Sequence, residues 1–178
     1  SILLKLWREE KPAEGEARPI NNEDRFKGRP DYVAALFDRP EPTFREEKYK
    51  EYKAQRPPAP DTLISQIIEA RNLFQIFGVK TFEAAGFEAD DLIATLAEKF
   101  SLEPDLQVVI LTGDKDTLQL VRGEKIVVRT FKKGVSETKT YDEKAILDEY
   151  GFSPSQLLDS KAFVGDPSDN VPGVRGIG

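Results

Sequence analysis

Short apolar runs alternate along this chain with segments whose apolar residues recur at helical spacing, and few folds accommodate that alternation. Tyr32–Phe37 reads as a strand buried on both faces, and Val79–Phe82, Leu106–Leu111 and Ile126–Arg129 read as further strands. Between them, Asp61 is expected to cap a helix with the stripe Ile64, Ile67, Ile68, Phe74 and Phe77, closed by Gly78. A second helix carries Leu92, Ile93, Leu96, Ala97 and Phe100, and Thr117–Val121 is helix-like. Lys132-Lys133-Gly134 reads as a basic turn, and Asp142 opens a helix closed by Gly151. Ser153-Pro154-Ser155-Gln156 has the form of a capping box with Pro at the first helical position, opening Leu157–Val164, which Gly165 ends. Ahead of all this, Ile2–Glu9 resembles the end of an amphipathic helix stopped near Pro12, and residues 12–30 a solvated loop. Strands alternating with helices predict an α/β fold, a parallel sheet with helices on both faces, whose sites lie outside the carboxyl ends of the strands. Asp38 and Asp114 stand at such ends.

The stretch Gly86-Phe87-Glu88-Ala89-Asp90-Asp91 places three carboxylates within four positions at a helix start. Such residues cap free N–H groups and complement the positive dipole end, which one or two would accomplish. Glu88 and Asp91, three apart, share a helix face, and Asp90 points elsewhere. Further acids recur at loop and strand-end positions: Asp38, Asp114, Asp116, Asp166 and Asp169. Each has an ordinary alternative, since Asp38 precedes Arg39-Pro40 as a turn residue would, Asp116 can cap the next helix, and Asp166 and Asp169 fit a Pro-Ser-Asp turn. If the eight meet in space, their repulsion requires protons or cations to neutralise them.

The chain has 178 residues, enough for one domain or one domain plus part of another, and contains neither histidine nor cysteine. That excludes an imidazole base, a Ser-His triad, a thiol nucleophile, a disulfide, and zinc sites built on His or Cys. Oxygen ligands remain, and they suit hard cations such as Mg²⁺ or Mn²⁺. Two such ions about 3.5–4 Å apart clamp the attacking water and leaving oxygen of an in-line phosphoryl displacement, with no protein nucleophile required. The net charge of −6 argues against a nucleic-acid partner unless bound ions reverse the local field. Arg39–Arg56 departs from the acidic average, with six basic and four acidic residues interleaved with Phe44, Tyr49 and Tyr52. It reads either as a solvated helix laced with charge pairs or as a surface that pairs phosphates and stacks bases. No signal peptide or long apolar run is present, so a soluble intracellular protein without membrane association is expected.

Three ordered motifs, Gly86-Phe-Glu-Ala-Asp-Asp91, Leu111-Thr-Gly-Asp-Lys-Asp116 and Gly165-Asp-Pro-Ser-Asp-Asn-Val-Pro-Gly173, resemble the bacterial 5′ nuclease family. That family comprises the 5′→3′ exonuclease domain of DNA polymerase I and related flap endonucleases. Phe37-Asp38 and Phe44-Arg45…Tyr49…Tyr52-Lys53…Arg56 match the same pattern, so the resemblance covers about residues 31–178. It implies a PIN-like α/β fold over 1–150, with an arch near 39–60, and the start of a helix–hairpin–helix region over 151–178. It also implies an enzyme that cuts 5′ flaps and nicked duplexes, working as a bacterial, cytoplasmic, nucleoid-associated monomer. By resemblance Asp38, Glu88, Asp90, Asp91, Asp114, Asp116, Asp166 and Asp169 are the metal-cluster residues for two Mg²⁺ or Mn²⁺ ions. Arg45 and Lys53 are catalytic arch residues that, with Tyr49, Tyr52 and Arg56, grip the 5′ strand. Gly173, Gly176 and Gly178 approach duplex phosphates, where a K⁺ is also implied. The family carries a further strand, with another metal-binding Asp, ahead of the position of Ser1, and more duplex-binding helices after that of Gly178. The chain is therefore expected to be part of a longer protein and to lack a complete site, and its 12–30 loop is longer than the family's.

Two other readings bear on the same residues. Asp114-Lys115-Asp116 resembles the nucleophile motif of haloacid-dehalogenase-type phosphatases, but Leu118 stands where that motif places Thr, and only 61 residues follow Thr117. A diverged relative that binds branched DNA without cutting it is the alternative outside enzymology.

Overall fold

The computed structural model describes residues 30–133 and 137–177. The expected Ile2–Glu9 helix, all but the last residue of the 12–30 loop, Gly134 and Gly178 lie outside the described residues. In chain order the elements are β1 (Ala34–Leu36), α1 (Phe44–Lys48), α2 (Asp61–Ile76), β2 (Lys80–Phe82) and α3 (Ala89–Ser101). They continue with β3 (Val108–Leu111), a 3-10 turn at Lys115–Leu120, β4 (Ile126–Lys133), β5 (Glu137–Tyr141) and α4 (Glu143–Tyr150). A second 3-10 turn (Pro154–Gln156), α5 (Leu157–Val164), β6 (Gly165–Asp166) and β7 (Val171–Pro172) complete the chain. The described residues form two compact units, one from 34–98 and 155–177, the other from 30–33, 99–133 and 137–154.

In the first unit β1 pairs in parallel with β2, Ala34 opposite Lys80 and Leu36 opposite Phe82. The expected strand Tyr32–Phe37 is shorter than predicted and not buried on both faces: Tyr32 is 82% exposed and Ala34 is exposed too. Among the described residues β1 has one pairing neighbour, so its other edge has no ladder. The helix over 61–76 forms as its periodicity predicts, and Gly78 follows with φ +70°. Its cap, however, is Pro60, and Asp61 is instead the first helical residue, where its charge still favours the dipole. No residue of α2 is buried, and Ile64, Ile67 and Ile68 are each more than 40% exposed. The basic stretch is not a continuous helix: it makes one short helix, then turns from Glu51 to Gln55.

Two glycines fix the carboxyl-terminal part of this unit. Gly165 (φ +84°) lies opposite Pro172 in the β6–β7 pair, so close to the facing chain that a Cβ there would stand 2.4 Å from the Gly173 nitrogen. A Cβ on Gly173 would stand 2.3 Å from the Val164 carbonyl oxygen. Both are positions at which two backbones touch.

In the second unit β4 lies between a parallel β3 and an antiparallel β5. Val127 and Val128 are completely buried and Ile126 is 1% exposed, as a strand covered on both faces requires. Leu118 from the 3-10 turn and Ile146 from α4 complete this core, both with no exposed area. Asp142 caps α4 by accepting the Ala145 N–H at 2.8 Å, and Gly151 ends it with φ +76°, as the sequence predicts. Two expectations fail here. Lys132 and Lys133 belong to β4 rather than to a turn, and β5 was not anticipated, because Glu-Thr-Lys-Thr-Tyr lacks the alternating apolar pattern. The helix expected from the Ser153 capping box begins with a 3-10 turn, and α5 proper starts at Leu157. No helix among the described residues is long and apolar enough to cross a membrane.

Gly165→Ala is expected to destabilise the protein by roughly 2–3 kcal/mol, since it combines left-handed strain with a backbone clash. Urea unfolding of the two proteins measures this, and an unchanged midpoint would contradict it.

Candidate metal and nucleic-acid site

The site in the first unit is organised around the amino terminus of α3. The Asp38 side chain, just beyond β1, accepts the Ala89 N–H at 2.7 Å, and Asp91 Oδ2 accepts the Glu88 N–H at 2.9 Å. Two of the free N–H groups at this helix start are therefore satisfied by acids the sequence singles out. Capping leaves the carboxylates with acceptor capacity, and the basic stretch uses it. Arg45 donates Nη1 to Asp91 Oδ2 and Nη2 to Asp91 Oδ1, both at 2.7 Å. This two-pronged pairing holds the Asp91 carboxyl below the usual carboxylate range and raises the Arg45 guanidinium. Arg45 is placed for the contact because the Phe44 N–H bonds the Gly86 carbonyl at 3.0 Å and the Phe44 ring lies 5.7 Å from that of Phe87.

Glu88, only 15% exposed at its side chain, accepts Lys53 Nζ at 2.9 Å and Tyr52 OH at 3.1 Å, with Arg45 Nη1 3.7 Å away. Burial works most strongly on the Lys53 ammonium and lowers it, but the contacts with Glu88 and Tyr52 together outweigh it and the group titrates above its ordinary value. The Tyr52 hydroxyl also lies 3.1 Å from Asp169 Oδ2, and burial pushes its pKa up to about 12. One hydroxyl proton thus faces two carboxylate oxygens and can satisfy only one of them at a time. Asp169 is paired with Arg56, and Asp166 with Lys161 at 2.6 Å. The Lys161 and Ser168 bonds hold the Asp166 carboxyl at about 2.

The turns from 49 to 56 are fastened to the loop 166–170. Lys53, itself in the left-handed region at φ +53°, donates its backbone N–H to the Asp169 carbonyl at 3.0 Å. Tyr49 OH donates to the Asn170 carbonyl, Asn170 Nδ2 to the Glu51 carbonyl, and Gln55 Nε2 to the carbonyls of Pro167 and Ser168.

Of the predicted ligands, Asp38, Glu88, Asp91, Asp166 and Asp169 take part in these contacts. Asp90 is half-buried on the first turn of α3. In the other unit Asp114 follows β3 and accepts the Asp116 N–H at 2.9 Å, capping the 3-10 turn. Gly173 lies at the close approach described above, and Gly176 has φ +89°. Gln55, Asn170, Lys161 and Ser168 were not singled out from the sequence. The Ser-Asp-Asn turn carries a weak signal for Asn170, a residue type that tolerates its φ of +60°.

Carboxylates at the ends of parallel strands and at a helix start, faced by a basic aromatic segment, define an α/β fold of the PIN-like 5′ nuclease class. The family described as "5′-3′ exonuclease, N-terminal resolvase-like domain" matches residues 22–151, and the chain belongs to it. DNA polymerase I of Mycobacterium tuberculosis is 43% identical over 149 residues, covering 84% of this chain and 16% of that protein. A 5′-3′ exonuclease of Aquifex aeolicus is 41% identical over 152 residues, covering 85% of this chain and 50% of that one. The solved structure of bacteriophage T5 D15 flap endonuclease, in a pseudo-enzyme-product complex with DNA and metal ions, gives a TM-score of 0.65 at 26% identity. That similarity covers 83% of this chain and 56% of the phage protein. The chain therefore spans half or less of the curated relatives it matches. The family match also takes in Asp114–Leu118, the motif on which the phosphatase resemblance rested.

Lys161→Ala is expected to raise the Asp166 pKa from about 2 toward the ordinary aspartate value near ~3.9, followed by carboxyl carbon NMR. Because the folded value is depressed, the stabilisation from this carboxylate is complete above the unfolded value and disappears as pH falls through about 2. In the variant the folded and unfolded values come together, so this acid-side loss of stability shrinks, and an unmoved titration would contradict the pairing.

Proposed function

We propose that this chain is the nuclease part of a 5′→3′ exonuclease and 5′-flap endonuclease that hydrolyses DNA phosphodiesters, either within a bacterial DNA polymerase I or in a stand-alone exonuclease. Residues 1–150 form the nuclease domain and 151–178 begin the helix–hairpin–helix region. The observation that carries this reading is the sharing of one set of carboxylates by one set of phosphate-binding side chains. Arg45, Lys53 and Arg56 lie on one segment and pair with Asp91, Glu88 and Asp169.

Asp38, Glu88, Asp90, Asp91, Asp114, Asp116, Asp166 and Asp169 would hold the divalent ions, Mg²⁺ or Mn²⁺. The donor set fits: it is carboxylate throughout, and at Glu88 and Asp169 a single hydroxyl proton serves two oxygens, leaving acceptor capacity for a cation. Two such ions supply a water of lowered pKa and stabilise charge on the leaving oxygen. The chain's own residues bind and orient. Arg45 offers a planar fork and Lys53 a point charge, so the first fixes the direction of a phosphate and the second draws it in. Tyr49 and Tyr52 present rings for base stacking, and Arg56 tracks the backbone. Gly173, Gly176 and Gly178 let duplex phosphates approach backbone N–H groups, with a K⁺ there. The substrates are 5′ flaps, nicks and single-strand/double-strand junctions, met by a monomer at the bacterial nucleoid.

The test is cleavage of a labelled 5′-flap DNA by the full-length gene product. Asp114→Asn is expected to abolish Mg²⁺-dependent product while leaving the circular dichroism spectrum unchanged, and chelation to do the same reversibly. Lys53→Ala is expected to slow cutting on the order of tenfold or more with metal binding unchanged. Flap binding with no metal-dependent product in the wild type would favour the non-catalytic binder instead, and normal turnover in either variant would remove that residue's assigned role.

A further inference from the structure

Arg71, on α2, belongs to no motif in the sequence, yet its guanidinium meets three groups at the site's edge. Nη2 donates to the Asp38 carbonyl at 2.8 Å, and Nη1 pairs with Glu83 Oε2 at 2.7 Å. Its carbon lies 4.9 Å from the centre of the Phe37 ring, whose other neighbour is Phe74 at 6.0 Å. Asp38 and Glu83 stand just past the carboxyl ends of β1 and β2, so one side chain ties both strand ends to the helix beside them. Glu83 is held from its second oxygen by Arg39 at 3.2 Å. The Arg71 Nε is buried and finds no hydrogen-bond partner among the described residues, a costly placement that the other contacts must outweigh.

We propose that Arg71 is a positioning residue for the nuclease reaction: by clamping the Asp38 carbonyl against Glu83, it fixes the Asp38 carboxylate over the start of α3. The proposal rests on the reading of Asp38 as a site residue. Two acceptors in different directions need a fork, so an ammonium cannot reproduce the clamp, although it keeps the charge. A carboxylate displaced by a fraction of an ångström lowers turnover without altering substrate affinity, because the strand-gripping residues are untouched.

The experiment measures kcat and KM for 5′-flap cleavage, with melting temperature, for full-length Arg71→Gln, Arg71→Lys, Glu83→Gln and Asp38→Asn. Arg71→Gln is expected to lower kcat roughly tenfold at unchanged KM, and Glu83→Gln to do so by a smaller factor. Arg71→Lys is expected to regain the wild-type melting temperature but not the wild-type kcat. Wild-type kcat in Arg71→Lys would overturn the proposal, as would losses in kcat that only follow the unfolded fraction. If Arg71→Gln does not fold, Arg71→Lys and Glu83→Gln decide. Should Asp38→Asn be inactive while the Arg71 and Glu83 variants keep full kcat, the positioning role alone falls. Should Asp38→Asn cut normally, both that role and the reading of Asp38 fall.

Discussion

Neutralisation of clustered carboxylates by the chain's own cations is the constraint on which the first unit depends. Glu88, Asp91, Asp166 and Asp169 are all mostly shielded from water at their side chains, and each has an ammonium or guanidinium within 3 Å. Shielded acids grouped around one helix start and one loop would otherwise repel one another with little water to screen them. The pairing also explains why the basic segment is not a free helix. Arg45, Lys53 and Arg56 must face acids on α3 and on the 166–170 loop at once, and only a short helix followed by turns lets them do so. A left-handed Lys53 is part of that geometry.

The same pairing reconciles two roles that the sequence leaves as alternatives. Asp38 and Asp91 do cap α3, as acids at a helix start ordinarily do. Each carboxylate has more lone pairs than one N–H can use, and Asp91 spends the remainder on Arg45. Structural and chemical roles are thus carried by different lone pairs of one group, so finding a cap does not argue against a site.

Legibility from sequence followed periodicity and local chemistry. The Asp142 cap, the Gly151 stop, the buried Val127–Val128 pair and the carboxylates at strand ends all have signals within a few residues of themselves. The strand Glu137–Tyr141 was hidden because one face of an antiparallel edge strand can be polar, which removes the apolar run that marks a buried one. Arg71, Gln55 and Asn170 were hidden for a different reason. The carbonyls that their side chains bond lie 33 to 119 positions away, and no local pattern distinguishes a surface arginine from one that clamps a distant carbonyl. Similarly, Asp61 was misassigned by one position because Pro60 has an extended ψ of 145° and takes the cap itself.

The bonds that fasten residues 49–56 to 166–170 span 112 to 121 positions, which has a consequence for biosynthesis. Contacts between such distant segments form only after a large loop has closed, and a ribosome releases the chain from its amino end. The Lys53 turn therefore leaves the exit tunnel long before the carbonyls that shape it have been translated. Until Asp169 and Asn170 emerge, the nascent chain carries its basic, aromatic stretch without its mould, and this carboxylate-rich site is among the last parts of the unit to be completed.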